Sequence, residues 1–117
     1  MINIERALLC SVLEHGFIDS DENIINHKLN SELFSLEDHK LFVNSINRLK
    51  ELKEPICSDL VRLKLISVNK WNFQLEHSLL EVMSANPFST YDLFSKYYKV
   101  LQNNYDNNRK LHQLRYI

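Results

Sequence analysis

The residues that could carry acid–base or metal chemistry are scattered along this chain of 117 residues. Its histidines are at positions 15, 27, 39, 77 and 112, and none is four residues from another, the spacing that would put two metal ligands on one helix face. Cys10 and Cys57 form no Cys-x-x-Cys pair, and the single glycine cannot build a phosphate-binding loop. We therefore expect a chain that is not an enzyme and has no catalytic residues, metal site or cofactor.

Two pairs of neighbouring acidic residues are placed where acids stabilise the start of a helix. Asp21-Glu22 and Glu37-Asp38 each lie where a helix is expected to begin, and carboxylates are favoured at that end of the helix dipole. His39 follows directly, and we interpret it as a partly buried capping or packing residue.

Aromatic and basic residues are interleaved towards the end of the chain: Tyr91, Lys96, Tyr97, Tyr98, Lys99, Tyr105, Arg109 and Lys110. Such a mixture can close a core with its hydroxyls at the edge, form a protein interface, or stack on single-stranded nucleic acid. We rank the core first, the interface second and nucleic acid a distant third. The net charge of −1 also argues against a dedicated nucleic-acid binder.

The charge is unevenly distributed. The first 47 residues hold eight acids and three bases, whereas the remaining 70 hold 11 bases and seven acids. This asymmetry can orient a partner or a neighbouring copy. Ordinary scatter of surface charge is the simpler alternative.

Composition predicts an all-α fold, a compact bundle of about six helices. Hydrophobic residues make up 44% and charged residues 25%, as in one globular domain. One glycine and two prolines are too few for the tight turns of a strand-rich fold. The start of the chain does not resemble a signal peptide, and no apolar run approaches the ~20 residues that cross a bilayer. We expect a cytoplasmic protein without membrane contact.

The first two helices are predicted before the centre of the chain. Helix one should begin at an Asn3 N-cap, include Cys10 among its buried residues and end at Gly16 in a left-handed C-cap. A short second helix should start at Asp19 or Ser20 and turn Ile24, Ile25 and Leu29 inward.

The stretch from Leu29 to Leu60 is predicted to hold the central helix. Ser35 and Asp38 form a capping-box pattern, and Pro55 is expected to stop the helix. Leu33 and Phe34 should fill a gap before it. Its predicted buried stripe is Leu41, Phe42, Ile46, Leu49 and Leu52, while its solvated face includes Asn47.

Three more helices follow. Ser58 should cap the fourth, the fifth should run from about 72 to 85, and the last should be capped by Ser89 with Asp92 and run from Thr90 nearly to the end. The predicted inward residues include Leu60, Val61, Leu63, Leu65, Ile66, Phe73, Leu75, Leu79, Leu80, Val82, Met83, Leu93 and Phe94. We divide the chain into a helical globular domain, 1–101, and a C-terminal helical extension, 102–117, which either starts a helical hairpin or frays.

An ordered set of short motifs resembles a known family. The set is Asn3-Ile4-Glu5, Ala7 to Leu13, Leu29 and Phe34, His39-x-x-Phe42, Ile46, Pro55-Ile56, Asp59-Leu60, Asn86-Pro87, Tyr91, and the last helix through Tyr97, Tyr98, Val100, Arg109, Lys110 and Leu111. Over nearly the whole chain it resembles the N-terminal domain of the bacterial replicative DNA helicases of the DnaB family. Cys10 replaces the family's usual glycine and Cys57 its usual aspartate, and the proline or acid often found before Phe34 is absent.

This resemblance implies a non-catalytic, all-α interaction and oligomerisation domain that ends in the first helix of a hairpin. In the family this domain forms the collar of the helicase hexamer and contacts primase, while the ATPase motor lies further C-terminal. The C-terminal helicase-binding domain of the primase DnaG has a related fold and is the alternative, favoured by Leu13-Glu14-His15 before an acidic short helix.

The expected partners are primase or replicative helicase, together with a second copy through the C-terminal helix. The partner-binding residues that we predict are Tyr98, Leu101, Tyr105, Arg109, Leu111 and Leu114. A single-stranded nucleic-acid-binding helical module is a further alternative, although we expect such binding to be weak at most.

Overall fold

The computed structural model describes residues 1–16 and 29–114, with side chains through residue 111. Within these ranges the chain forms five α-helices and one short 3₁₀ helix, without strands. The α-helices are α1 (Ile2–His15), α2 (Glu37–Glu51), α3 (Ser58–Ser67), α4 (Phe73–Met83) and α5 (Tyr91–Leu114), and the 3₁₀ helix is Ser31–Leu33. The all-α prediction is confirmed. The second helix that we predicted lies outside the described residues, apart from Leu29, which is buried and not helical.

One hydrophobic core joins all of these elements. α1 packs against α4 and α5, and α2 packs against α3, α4 and the 3₁₀ helix. Leu33 and Phe34 fill the gap before α2, as predicted, and Cys10 is buried. The largest fully buried apolar side chains are Phe34, Phe42, Phe94, Leu8, Leu9, Ile46, Leu49, Leu75, Leu79 and Leu101.

Of the two caps predicted for α1, the C-cap is confirmed and the N-cap is wrong. Gly16 has φ 63° and donates its N–H to the Val12 carbonyl, so the left-handed C-cap is confirmed. The N-cap prediction at Asn3 is wrong. Met1 takes this position because its carbonyl accepts from the Glu5 N–H at 3.0 Å, and the helix therefore begins at Ile2.

α2 ends before the proline that was predicted to stop it. Lys53 adopts φ 57°, and the N–H groups of Lys53 and Glu54 donate to the carbonyls of Lys50 and Leu49. This Schellman arrangement satisfies the last carbonyls of the helix four residues before Pro55. A left-handed turn, and not the proline, ends α2.

α3 ends in the same way, with Asn69 at φ 60° in the left-handed position. The N–H groups of Asn69 and Lys70 donate to the carbonyls of Ile66 and Leu65, both at 3.0 Å. Asparagine tolerates this conformation better than most residues, which is why a turn without glycine suffices here.

The predicted capping box at the start of α2 is wrong. Leu36 occupies the N-cap position without a side-chain cap, because Ser35 and Asp38 are both engaged elsewhere. Ser35 bonds to Glu5 of α1, and Asp38 accepts hydrogen bonds from Ser78 and Gln74, joining α2 to α4. Long-range partners thus replace the local cap.

The N-caps of α3 and α5 each lie one residue away from the predicted position. α3 begins at Ser58 with Cys57 in the N-cap position, and Thr90, not Ser89, caps α5 by accepting from the Leu93 N–H at 3.2 Å. At α4, the Asn72 side chain accepts from the Leu75 N–H at 2.9 Å. The helix then ends at Met83, earlier than predicted.

Several residues lie on the opposite side from the one predicted. Leu63, Phe73 and Leu80 were expected inside, yet they are 57%, 96% and 54% exposed. Leu52 is also exposed, at the last turn of α2. Conversely, Asn47 was placed on the solvated face of α2, but its side chain bonds to both the N–H and the carbonyl of Leu29.

α5 is one continuous helix of 24 residues, which crosses from residue 101 to 102 without interruption. At ~1.5 Å per residue it is roughly 36 Å long. Leu101 is its last fully buried residue and Tyr105 still packs against the core, whereas residues 106–111 are exposed. α5 therefore projects from the core after Tyr105.

Candidate interaction surface

The six partner-binding residues that we predicted are distributed between the core and the solvent. Leu101 is 1% exposed and belongs to the core, whereas Arg109 is exposed and Leu111 is 59% exposed. α5 includes Leu114, whose side chain lies outside the described residues. Of this set, Arg109 and Leu111 are the side chains that the structure shows open to a partner.

Tyr98 and Tyr105 instead fasten α5 to the segment before α2. The Tyr98 hydroxyl accepts from the Asn30 N–H at 3.1 Å, and the Tyr105 hydroxyl donates to Glu32 Oε2 at 2.9 Å. Burial raises the pKa of Tyr98, and the hydrogen bond to the Glu32 carboxylate raises the pKa of Tyr105. Both phenols remain protonated near neutral pH and orient α5 on the bundle.

α5 also carries an apolar seam, of which sequence reasoning predicted Leu111 and Leu114 as partner-binding residues. Leu93, Val100 and Leu111 are 40%, 37% and 59% exposed. Together with Tyr97, Asn104, Asn107 and Leu114 they fall at alternating steps of four and three residues, the heptad spacing of a two-helix seam. The signal was present in the sequence, but Leu93 had been assigned to the core.

Tyr97 is partly occupied by a contact within the chain. Its ring stacks on Phe88, with centroids 4.6 Å apart and planes at 11°. Phe88 in turn donates its N–H to Ser11 Oγ on α1. The first half of α5 is therefore held rigidly, while its seam remains at the surface.

A basic groove runs beside the seam on α5 and shares Val100 with it. It has a volume of about 570 Å³ and is lined by Tyr91, Asp92, Ser95, Lys96, Lys99, Val100 and Asn103. Lys96 and Lys99 form no ion pair with another described residue, so their charge is available to an anionic ligand or partner.

The most elaborate polar cluster lies in the core, between α1 and α2. Glu5 and His39 are 0% and 1% exposed. The Glu5 carboxylate accepts from the Ser35 N–H at 2.8 Å and the Ser35 hydroxyl at 2.7 Å, and lies 3.2 Å from His39 Nδ1. Burial alone would raise the pKa of Glu5, but the hydrogen bonds from His39 and Ser35 outweigh it, so its pKa lies below the ordinary 4.5.

Glutamate, histidine and serine also occur together in catalytic sites with a serine nucleophile, but here the hydrogen bonds connect them differently. A catalytic imidazole must lie beside the hydroxyl that it activates. In this chain Ser35 and His39 both bond to Glu5, and the carboxylate is sealed from solvent. The cluster suits the positioning of α1 on α2. Glu5 was not singled out from the sequence as part of a site.

Residues 1–16 and 29–114 contain neither a candidate metal site nor a candidate membrane-spanning helix. No group of three or more His, Cys, Asp or Glu side chains in this part is placed to hold a metal ion. Nor does this part include a helix of the length and apolarity that crossing a bilayer requires.

Comparison with known proteins adds no relative. No protein-family model, no curated protein and no solved structure matches the chain.

Proposed function

We propose that this chain is a protein-interaction and oligomerisation domain of the bacterial DNA replication machinery, of the type found at the N-terminus of DnaB helicases. It acts without catalysis of its own, in the cytoplasm, and its partners are primase or replicative helicase and a second copy of itself. The observation that carries the proposal is the form of α5. This helix packs against the bundle as far as Tyr105 and projects with exposed side chains from residue 106 to 111, and its exposed apolar residues Leu93, Val100 and Leu111 extend along both parts.

The ordered sequence motifs support this assignment, and the all-α fold is compatible with it. An apolar seam on a projecting helix is suited to pairing with another helix, because burying Leu93, Val100 and Leu111 removes apolar surface from water. Asn104 and Asn107 lie in the same seam, and buried asparagines of this kind favour one register and one number of helices. Arg109 and Lys110 beside it can select an acidic partner.

The first experiment tests self-association through this seam. We expect Val100→Asp combined with Leu111→Asp to shift the chain from dimer to monomer in sedimentation velocity, with unchanged helical circular dichroism. The matched control is Gln102→Asp with Asn108→Asp, which adds the same two acidic side chains at exposed positions of the same helix outside the seam and should leave the dimer intact.

The second experiment tests the partners directly. Purified primase and replicative helicase from the same source are titrated against the labelled chain, and the seam variant should bind at least tenfold more weakly than the wild type. Binding to primase would favour a helicase-type parent, and binding to helicase would favour the primase-type alternative. A chain that is monomeric at tens of micromolar and binds neither protein contradicts the proposal.

The basic groove on α5 supports a second candidate, a module for single-stranded nucleic acid. Lys96 and Lys99 beside Tyr91 combine charge with an aromatic face. If that candidate is right, a labelled oligothymidine should bind at low salt, lose affinity steeply as salt is raised, and require both lysines. We expect only weak binding, and tight binding would replace the interaction proposal.

A further inference from the structure

A second exposed apolar surface lies away from α5, on α3 and α4. Among the large hydrophobic side chains exposed in the described residues, Leu63, Ile66, Val68, Phe73 and Leu80 fall within one short stretch of chain. Phe73 is 96% exposed although it sits in the first turn of a well-formed helix. Single exposed leucines are common on protein surfaces, but a cluster of this kind marks an interaction site.

Both helices contribute exposed apolar side chains. On α3, Leu60 and Leu63 line a shallow groove of about 260 Å³ with Glu54, Lys64 and Ser67. On α4, Phe73 and Leu80 lie on one face at helical spacing, with His77 between them. The groove is smaller than the ~300–1,000 Å³ typical of small-molecule pockets, and it suits the side chains of a protein.

An ion pair joins α3 and α4. Arg62 of α3 donates from Nε and Nη2 to the two carboxylate oxygens of Glu76 on α4, at 3.0 and 3.1 Å. The guanidinium carbon of Arg62 lies 5.6 Å from the centre of the Trp71 ring. Ile66 is one turn from Arg62, and Phe73 and Leu80 are each about one turn from Glu76, so the apolar groups flank the ion pair.

This centre has the composition of an interface anchor. Arginine and tryptophan are the residues that most often dominate binding energy, and here both are held in place before a partner arrives. The bidentate geometry and the ring contact fix the Arg62 side chain, so little conformational entropy is left to lose on binding.

The charges on this surface indicate the partner. Arg62 pairs with both Asp59 and Glu76, and Arg6 pairs with Glu81, so these ion-paired groups together carry one net negative charge.

Two lysines on the same surface, Lys64 and Lys70, form no ion pair with another described residue. Lys53 and Glu54, at the edge of the groove, form none either. Together with the ion-paired groups this gives five bases and four acids, so the surface carries an excess of one positive charge.

We propose that the α3–α4 face binds an amphipathic helix from another protein, with apolar residues at i, i+3 or i+4, and i+7 and with acidic residues flanking them. The apolar positions would lie against Leu63, Ile66 and Phe73, and the acids would pair with Lys64 and Lys70. A second copy of this chain fits less well, because a two-fold contact would bring the same lysines together. The surface involves neither half of α5, so it can be tested separately from the proposed function.

The experiment uses two synthetic helical peptides of equal length and identical leucine pattern, one flanked by glutamate and the other by lysine. Fluorescence anisotropy at low salt should show the glutamate peptide binding at least tenfold more tightly. Lys64→Glu with Lys70→Glu should reverse this preference, and Leu63→Asp with Ile66→Asp should abolish binding of both peptides. Circular dichroism confirms that each variant is folded.

The matched control reverses two lysines on α5, Lys96→Glu with Lys99→Glu, and should leave the preference for the glutamate peptide unchanged. Three results would overturn the proposal: no binding of either peptide at 100 µM, equal binding of both, or loss of the preference in the α5 control. A wild-type dimer that Leu63→Asp converts to monomer would also overturn it, because the face would then join two copies. The variants of the α5 seam should not alter peptide binding, which separates this outcome from that of the proposed function.

Discussion

The α1–α2 contact buries polar side chains, whereas the α3–α4 face exposes apolar ones. Between α1 and α2 a carboxylate and an imidazole are fully buried, and each oxygen of Glu5 has a hydrogen-bond partner. On the outside of α3 and α4, Leu63 and Phe73 remain in water with little packed against them. The inner polar groups are satisfied, whereas the outer apolar groups are not.

This contrast separates the parts of the chain that stabilise it from those available to a partner. A buried carboxylate is tolerated only when its hydrogen bonds replace those of water, so the Glu5 cluster specifies how α1 meets α2. Exposed leucines contribute nothing comparable to folding, and their burial becomes favourable only on binding. Substitutions at the α1–α2 contact should therefore change folding stability, whereas substitutions on the α3–α4 face should change partner binding.

The largest expected effect compares two leucines on one helix. Leu65 of α3 is 2% exposed and Leu63 is 57% exposed. Leu65→Asp should destabilise the fold by more than about 4 kcal/mol, because it buries an unpaired charge. Leu63→Asp should change the free energy of unfolding by no more than about 0.5 kcal/mol. Urea titration followed by circular dichroism measures both, and equal losses would mean that the α3–α4 face is part of the stabilising core.

The next effect concerns Glu5. Glu5→Ala leaves the Ser35 N–H, its hydroxyl and His39 without their acceptor in a buried site, which should cost about 3–5 kcal/mol. Glu14→Ala, on the exposed side of the same helix, is the control and should cost less than about 0.5 kcal/mol. Chemical denaturation compares the two variants. Similar values for them would show that the buried cluster does not hold α1 on α2.

A smaller effect concerns the pH dependence of folding stability. The folded-state pKa of Glu5 lies below its ordinary 4.5, so the unfolded chain takes up a proton first as the pH falls. The stability due to the Glu5 charge is therefore complete above about pH 4.5 and is lost as the pH drops through the folded-state pKa.

Urea midpoints between about pH 2.5 and 6 should fall more steeply for the wild type than for Glu5→Gln, which has no carboxyl to protonate at this site. Glu14→Gln should retain the wild-type slope. If the Glu5→Gln slope equals that of the wild type, the acid sensitivity comes from other carboxyls.

The sequence predicted the elements better than their contacts. Helical spacing and the scarcity of glycine and proline led to the all-α fold, and Gly16 marked the end of α1. The predictions that failed concern residues whose preferred local role was taken over by a distant partner. Ser35 and Asp38 carry a capping pattern, yet they bond to Glu5 and to Ser78. Asn47 has the polarity of a surface residue, yet it clamps Leu29 from 18 residues away.

The candidate surfaces were predicted only in part. The end of α5 was singled out from its aromatic and basic residues, but Leu101 proved to be core, and Leu93 proved to be exposed. α3 and α4 each have apolar residues on more than one side, so their periodicity does not say which side faces the bundle. The exposure of Leu63, Phe73 and Leu80 therefore had no signal in the sequence.

By itself the sequence determined that this chain forms amphipathic helices, where α1 must end, and that its last helix would be long. These properties depend on the spacing of residues within a few turns, which is fixed along the chain. Only the tertiary structure decided that Glu5, Ser35 and His39 meet in the core and which faces of α3, α4 and α5 stay in water. Those outcomes depend on how helices distant in sequence pack together, and the backbone and side-chain preferences of a single segment do not contain that information.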